Sequence, residues 1–274
     1  MAISENDRQV LNALAAAREQ HNELADLVDF YHDLYQVQFE AKANVPEPQV
    51  TDKLAMRRQL ESGGPQLTFE RLGVEPGPFA RLVDRVVDVL LRHNPGWEVA
   101  EKGRAAPELV ALAQATFETG DTLATGKPDD HSEPDYPLTL AVGLALAPHL
   151  QRAAEALLPH LDLSLWAQGY CPVCGGRPDL ALFEQTKGAR RLLCSRCNSV
   201  WDYQRTGCPF CRSEEKQTYY LSKDGVYRLY VCPTCNRYLK TVDLREIQRP
   251  VFPVVERLLT AGMDLAARQQ GYSG

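Results

Sequence analysis

Cysteine carries the clearest chemical signal in this chain. All eight cysteines fall within residues 171–235 of a chain of 274 residues. They form four pairs, and two residues separate the thiols of each pair: Cys171/Cys174, Cys194/Cys197, Cys208/Cys211 and Cys232/Cys235. Nineteen residues separate the first pair from the second, and twenty separate the third from the fourth. Both spacings match a tetrahedral metal site that is built from two cysteine turns.

The spacing has a simple chemical reason. Two intervening residues let one tight turn direct both thiolates at a single cation, and a hairpin brings the second turn to the opposite side. We therefore predict two metal ions in two sites: site 1 (Cys171, Cys174, Cys194, Cys197) and site 2 (Cys208, Cys211, Cys232, Cys235). A crossed pairing of the first turn with the third is less natural for repeated hairpins.

No histidine lies in this stretch, so each site is expected to be closed by four thiolates, with no open position for a substrate. The sequence accordingly predicts no catalytic residue. Thioredoxin-like redox motifs would need a βαβ context, and disulfides are disfavoured by the reducing compartment predicted below. Four sulfur ligands suit zinc or iron, and the spacing does not discriminate between these metals.

The residue after the second cysteine of each turn is the next informative position. A left-handed backbone is favourable there, and Gly or Asn adopts it most easily. Gly175, Asn198 and Asn236 satisfy this preference. Arg212 does not, which predicts a looser third turn.

Short β-prone runs surround the cysteine turns. Asp224-Gly225 separates Tyr219–Leu221 from Tyr227–Val231, which is a strong hairpin pattern. Residues 180–184 and 190–193 suggest a second hairpin at the corresponding place. Residues 168–248 are thus predicted to contain a repeat of turn, hairpin and turn.

The rest of the chain has helical periodicity. Helices are predicted over 22–42, from Pro76 onward, over 107–119, and over 138–158 with a kink at Pro148. An amphipathic helix over 254–269 closes the sequence. The predicted fold class is α+β, with a helical domain (1–167), two tandem four-cysteine modules (168–248) and a C-terminal helix (249–274) that packs back on the helical domain.

Composition and charge exclude several classes of protein and of binding partner. Apolar residues make up 44% and charged residues 24%, as in ordinary globular proteins. Residues 168–248 hold 13 Lys and Arg against 8 Asp and Glu, whereas the whole chain has a net charge of −6. The acidic remainder argues against nucleic acid as a partner.

No apolar run is long enough to cross a membrane, and the N-terminus does not resemble a secretory leader, which predicts a cytoplasmic protein without membrane insertion.

Four motifs and two flanking segments resemble the formate dehydrogenase accessory protein FdhE family. The motifs are CPVCGGRP (171–178), LCSRCNSVW (193–201), RTGCPFC (205–211) and CPTCNRYLK (232–240). The segments HNELAD (21–26) and LAARQQGY (265–272) are similar to the terminal regions of that family. The resemblance therefore extends over most of the chain and is most specific across 170–240.

The resemblance implies a non-catalytic maturation factor for molybdenum- or tungsten-dependent formate dehydrogenase, with the catalytic subunit as partner. It also implies rubredoxin-like modules, which favour iron, with zinc as the other metal. Two alternatives remain at this stage: a rubredoxin-like electron-transfer protein, and a zinc-ribbon nucleic-acid-binding protein that would use Arg190, Arg191 and Arg196. Self-association and the identity of the enzyme served are left open.

Aromatic residues crowd the predicted modules. They are Trp201, Tyr203, Tyr219, Tyr220, Tyr227, Tyr230 and Tyr238. Their simplest role is to cover small modules that have little core of their own. A second interpretation is a partner-binding surface, with Arg205, Arg228 and Arg237 beside Trp201 and Tyr238.

Overall fold

The computed structural model describes residues 2–50, 52–97, 104–119, 136–186, 188–215 and 217–274. Its helices are α1 (Glu5–Gln20), α2 (Ala25–Lys42), α3 (Lys53–Glu61), α4 (Pro76–His93), α5 (Ala106–Thr119), α6 (Tyr136–Leu157), α7 (Pro253–Leu259) and α8 (Ala261–Gln269). Its strands are β1 (Pro178–Phe183), β2 (Arg190–Cys194), β3 (Val200–Tyr203), β4 (Thr218–Leu221), β5 (Tyr227–Val231) and β6 (Tyr238–Asp243). The α+β class is thereby confirmed.

The chain divides into two compact units. Unit 1 comprises Met1–Pro48 and Thr68–Ala156, and unit 2 comprises Gln49–Leu67 and Leu157–Gly274. No helix within the described ranges combines the length and the apolar character that a membrane span requires.

Unit 1 is a helical bundle of α1, α2, α4, α5 and α6. Pro76 and Pro78 stand in the first turn of α4, where a missing N–H costs nothing, and the apolar face of this helix is buried. Lys42 is buried and its ammonium group lies 2.7 Å from Asp7 and 2.6 Å from Glu155, so helices α1, α2 and α6 share one ionic contact.

Unit 2 is built on one six-stranded sheet in the order β3-β2-β1-β6-β5-β4. Module 1 (171–203) contributes the antiparallel strands β1, β2 and β3, and module 2 (208–243) contributes β4, β5 and β6. Strands β1 and β6 pair in parallel, so the first strand of module 1 lies beside the last strand of module 2. The strands of the two modules therefore stand in the same order across one shared sheet, the third, second and first strand of module 1 and then those of module 2.

The sequence predicted both hairpins but not this continuity. The turn of the first hairpin includes Lys187, which lies outside the described residues. The joining pair β1·β6 links residues about 60 positions apart, from Leu180↔Lys240 to Phe183↔Asp243. Local periodicity contains no information about a pairing at that separation.

The predicted domain boundaries also differ from the two units. Residues 49–67, with α3, belong to unit 2 and not to the helical domain. The C-terminal segment, predicted as one helix over 254–269, is two helices in unit 2, where α7 lies against β1 and α8 against β6, and its packing on the helical domain stays a prediction. Apolar contacts of Ala267 with Leu229, Val231 and Tyr238 explain this position, because they bury one face of module 2.

Candidate metal centres

The four cysteine turns have the same backbone hydrogen bond. In each, the N–H of the first cysteine donates to the carbonyl oxygen five residues later. These bonds are Cys171 to Gly176 (2.8 Å), Cys194 to Ser199 (2.9 Å), Cys208 to Ser213 (3.0 Å) and Cys232 to Arg237 (2.9 Å). Four turns of one geometry thus present four pairs of thiols.

The residue after each turn has a left-handed backbone at all four positions. The φ angles are 73° at Gly175, 59° at Asn198, 60° at Arg212 and 53° at Asn236. The third turn is therefore not distinguished by its backbone, and the expectation of a looser turn at Arg212 is wrong. The turn imposes its conformation on an arginine at a local free-energy cost.

Site 1 brings four buried thiols together. The Sγ atoms of Cys171 and Cys197 lie 3.5 Å apart, and Cys174 Sγ lies 3.5 Å from both Cys194 Sγ and Cys197 Sγ. A disulfide requires about 2.05 Å, and the eight cysteines are all free. A tetrahedron with metal–sulfur bonds of about 2.3 Å has edges of about 3.8 Å, so the quartet fits a cation of this type.

Hydrogen-bond donors surround the sulfurs of site 1. The backbone N–H groups of Val173 and Arg196 point at Cys171 Sγ and Cys194 Sγ, each at 3.4 Å. Ser199 Oγ lies 3.0 Å from Cys197 Sγ. Burial raises the pKa of the Cys171 thiol well above its ordinary value. Adjacent thiolates in this buried place need a positive charge between them, which a metal ion supplies.

Site 2 has the same arrangement but is more open to solvent. The Sγ atoms of Cys208 and Cys235 lie 3.7 Å apart, as do those of Cys211 and Cys232. Cys211 is exposed and Cys235 is partly exposed, whereas all four thiols of site 1 are buried. Each quartet could hold a metal ion. Five of the six histidines are described and neither cluster includes one; His131 lies outside the described residues.

A segment far upstream supports site 1. The backbone N–H of Gln66 donates to the carbonyl oxygen of Pro172 at 3.0 Å, and that of Leu67 donates to Val173 at 2.9 Å. The segment therefore fixes the first cysteine turn through its backbone. Sequence reasoning missed this role because backbone hydrogen bonds carry no residue-type signal, and only the turn residues Gly63-Gly64-Pro65 mark the segment.

The three arginines that were predicted beside Trp201 and Tyr238 stack on other aromatic rings. Trp201 is buried and its Nε1–H donates to the carbonyl oxygen of Gln168, which supports the covering role. Arg205 and Arg228 stack instead on Phe183, each 5.6 Å from the ring centroid, and Arg237 stacks on Phe210.

The three arginines of the nucleic-acid alternative do not form an exposed basic surface. Arg190 and Arg196 are buried, and Arg191 lies 3.4 Å from both Glu184 and Asp202. The phosphate backbone of a nucleic acid requires accessible cations, so this alternative loses its structural basis.

Comparisons with known proteins agree in pointing to one family. Residues 170–205 match the family model described as the central domain of FdhE. A protein from Aquifex aeolicus named "Protein FdhE homolog" is 37% identical over 113 residues, which is 39% of this chain and 40% of that protein. A protein of the same name from Rhizobium meliloti is 28% identical over 268 residues, which cover 93% of this chain and 83% of that protein.

The fold is also similar to a solved one. The crystal structure of the FdhE protein from Pseudomonas aeruginosa aligns with a TM-score of 0.61 and 22% sequence identity, over 99% of this chain and 94% of that chain. The fold of this chain therefore has a counterpart among experimental structures.

Proposed function

We propose that this chain, which is similar to FdhE proteins in sequence and in fold, is a non-catalytic accessory protein in the maturation of a formate dehydrogenase. We further propose that it acts in the cytoplasm and binds the catalytic subunit of a molybdenum- or tungsten-dependent enzyme. The name shared by its relatives supports a role in formate dehydrogenase maturation. The chemistry of the cysteine quartets supports the non-catalytic role.

The observation that carries the proposal is the closure of both quartets. Each presents four sulfur atoms at the separations of a filled tetrahedron, and no carboxylate or histidine in the described ranges joins either one. A catalytic zinc site normally keeps one position for water or substrate. A site with four thiolates instead fixes the fold around it.

The cysteines of site 1 and of site 2 would each hold one metal ion. When bound, the ion supplies four bonds that cross-link two turns of a module. The chain's own groups direct the thiols. Each cysteine turn ends in a residue with a left-handed backbone and turns its two thiols inward, and the N–H groups of Val173 and Arg196 stabilise the negative charge of site 1. We propose iron, because the family resemblance implies rubredoxin-like modules, with zinc as the alternative.

A genetic and biochemical experiment tests this function. The gene is deleted in its host, and formate dehydrogenase activity is measured with and without the wild-type chain supplied in trans. We expect activity to be lost on deletion, restored by the wild type, and poorly restored by Cys211→Ser. Leu265→Ala is the matched control, since this side chain is also exposed and lies outside both quartets. Full activity in the deletion strain would refute the accessory role.

Partner binding needs its own measurement. Tagged wild-type chain is purified without chelators under anaerobic conditions, and the proteins that co-purify are identified by mass spectrometry. We expect the catalytic subunit to be recovered in stoichiometric amount. Recovery of no formate dehydrogenase subunit, in cells that contain the enzyme, would contradict direct binding.

Electron transfer is a second candidate because Cys211 places one sulfur of site 2 at the surface. An exposed thiolate ligand would let an electron pass between an iron site and a partner. Metal analysis and visible spectroscopy separate the candidates. A colourless zinc protein would eliminate electron transfer, whereas reversible bleaching of an iron chromophore by a reductant would support it.

A further inference from the structure

Strand β4 forms an open edge of the sheet in unit 2. It pairs with β5, and no other described strand lies beside it. Three consecutive large side chains on this strand are half-exposed: Tyr219 (48%), Tyr220 (55%) and Leu221 (55%). Edge strands of folded proteins are usually blunted by charge, proline or a covering segment, so this one has the character of a docking site.

The backbone of β4 offers unpaired groups at defined positions. The N–H of Ser222 donates to the carbonyl oxygen of Tyr227 at 2.9 Å and closes the hairpin. Hydrogen-bonded and non-hydrogen-bonded pairs alternate from there, so the N–H and C=O of Tyr220 face Leu229 in β5. The N–H and C=O of Tyr219 and Leu221 consequently point away from the sheet, toward the open edge.

In module 1, the strand that corresponds to β4 is β1, and its outer edge is covered by β6. Arg190 pairs with Phe183 and Arg228 pairs with Leu221, and each arginine lies four residues before the third cysteine of its module. Phe183 is therefore the counterpart of Leu221, yet Phe183 is only 3% exposed. The difference arises at the sheet edge, because β6 runs parallel to β1, whereas none of the strands within the described residues runs along the outer side of β4.

A row of aromatic rings leads from the middle of the sheet to this edge. The ring centroids of Phe183 and Tyr230 lie 6.2 Å apart, and those of Tyr230 and Tyr219 lie 5.2 Å apart. Arg228 stacks on Tyr219 at 5.4 Å. The row is thus continuous with the outer strand and carries a cation next to it.

The charge along this row is positive. Three arginines stack on the single ring of Phe183: Arg205, Arg228 and Arg245. Arg228 and Arg245 share one carboxylate, that of the buried Asp243. Arg205 donates to the carbonyl oxygen of Gly188. A segment with negative side chains on this face would complement the excess of positive charge.

We propose that the open edge of β4 binds an extended acidic segment of the partner protein as an added parallel strand. The partner is the one assigned under the proposed function, and in this respect the inference rests on it. Acidic residues would alternate along the segment on the side of Tyr219 and Arg228, and apolar residues would lie on the side of Tyr220.

Two other occupants fit less well. A second copy of the chain would need about 800 Å² on each partner for a stable interface, and three half-exposed side chains offer far less. A single-stranded nucleic acid could stack on the rings, but it lacks the alternating donors and acceptors that the backbone of Tyr219 and Leu221 requires.

The test uses the full metal-loaded chain with two probes, the purified catalytic subunit and a nine-residue peptide of alternating valine and glutamate. Leu221→Pro removes an outward N–H without breaking a bond to β5, and Arg205→Glu reverses one charge. We expect each variant to bind both probes about tenfold more weakly, with circular dichroism and metal content unchanged. Leu265→Ala is the control and should bind as the wild type does.

The outcomes separate the two proposals. If the subunit binds both variants as tightly as the wild type, the β4 inference is wrong and the accessory function stands. If the peptide binds in a manner that depends on Leu221 while the subunit does not bind at all, the β4 edge is supported and subunit binding is refuted. Tighter binding of oligouridylate, or of a valine–lysine peptide, than of the acidic peptide would also overturn the inference.

Hydrogen exchange gives a third readout. The amides of Tyr219 and Leu221 should become protected when the partner binds, whereas the amide of Tyr220 is already bonded to β5. An unchanged exchange rate at Leu221 in the saturated complex would contradict strand addition.

Discussion

The guanidinium group of Arg257 donates a hydrogen bond to the carbonyl oxygen of Cys194 at 3.0 Å. The same side chain lies 2.6 Å from the carboxylate of Asp179 and donates to Asn198 at 3.0 Å. Helix α7 is therefore attached to the second cysteine turn and to the strand that follows the first. The C-terminal segment is part of the structure that holds site 1.

This relationship predicts the effect of Arg257→Ala. Removing one partner of a mostly buried pair leaves Asp179 uncompensated, and we expect the free energy of unfolding to fall by about 3 kcal/mol. Metal should leave site 1 faster in the variant. Denaturant unfolding and chelator-driven metal release measure the two effects. Leu265→Ala should change neither, and an unaltered release rate from site 1 would show that α7 does not support the site.

Arg212→Gly should stabilise the protein. Arg212 has a φ of 60°, which costs a residue with a Cβ atom about 1 kcal/mol and costs glycine almost nothing. We expect the free energy of unfolding to rise by about 1 kcal/mol, as measured by denaturant titration. Asn236→Gly is the matched comparison and should gain less, because asparagine tolerates this conformation. A loss of stability in Arg212→Gly would indicate that its contact with Gln168 outweighs the backbone strain.

The two sites should lose their metal in a fixed order. Site 2 includes the exposed Cys211 and the partly exposed Cys235, while the thiols of site 1 are all buried. A chelator reaches an exposed ligand first, so site 2 should empty before site 1. Timed alkylation with mass spectrometry should detect Cys211 and Cys235 first. Simultaneous labelling of Cys171 would instead show that the modules unfold together.

His149 should make unit 1 sensitive to acid. Burial lowers its pKa from 6.5 to about 4. The unfolded chain therefore takes up a proton at this residue below pH 6.5, while the folded chain does so only near pH 4. Stability is unaffected above pH 6.5 and decreases as the pH falls from 6.5 to 4, with about 2 kcal/mol lost at pH 5.

Urea unfolding at pH 7.5 and at pH 5, followed by helical circular dichroism, measures this effect. The free energy of unfolding differs between pH 7.5 and pH 5, and His149→Gln should reduce this difference by about 2 kcal/mol. His160→Gln is the control, because His160 is exposed, and should retain the full difference. An equal pH dependence in the two variants would mean that His149 does not contribute.

Much of unit 2 could be predicted from residue type and spacing. The four cysteine pairs indicated two quartets, and Asp224-Gly225 marked the hairpin of β4 and β5. These features are local, because a turn or hairpin is determined by residues that are close together in sequence. The helices α2, α4, α5 and α6 were likewise visible in their periodicity, because each buries one face.

Other features depended on contacts between distant segments. The parallel pairing of β1 with β6, the backbone bonds of Gln66 and Leu67 to the first cysteine turn, and the attachment of Arg257 to Cys194 join residues about 60 to 110 positions apart. Residue types alone do not specify such contacts, since many polar or apolar segments could make them. The sequence alone therefore determined which residues could bind metal. The tertiary structure decided which segments hold those residues, how far each quartet is exposed, and which strand edge stays open, because packing over long separations determines burial.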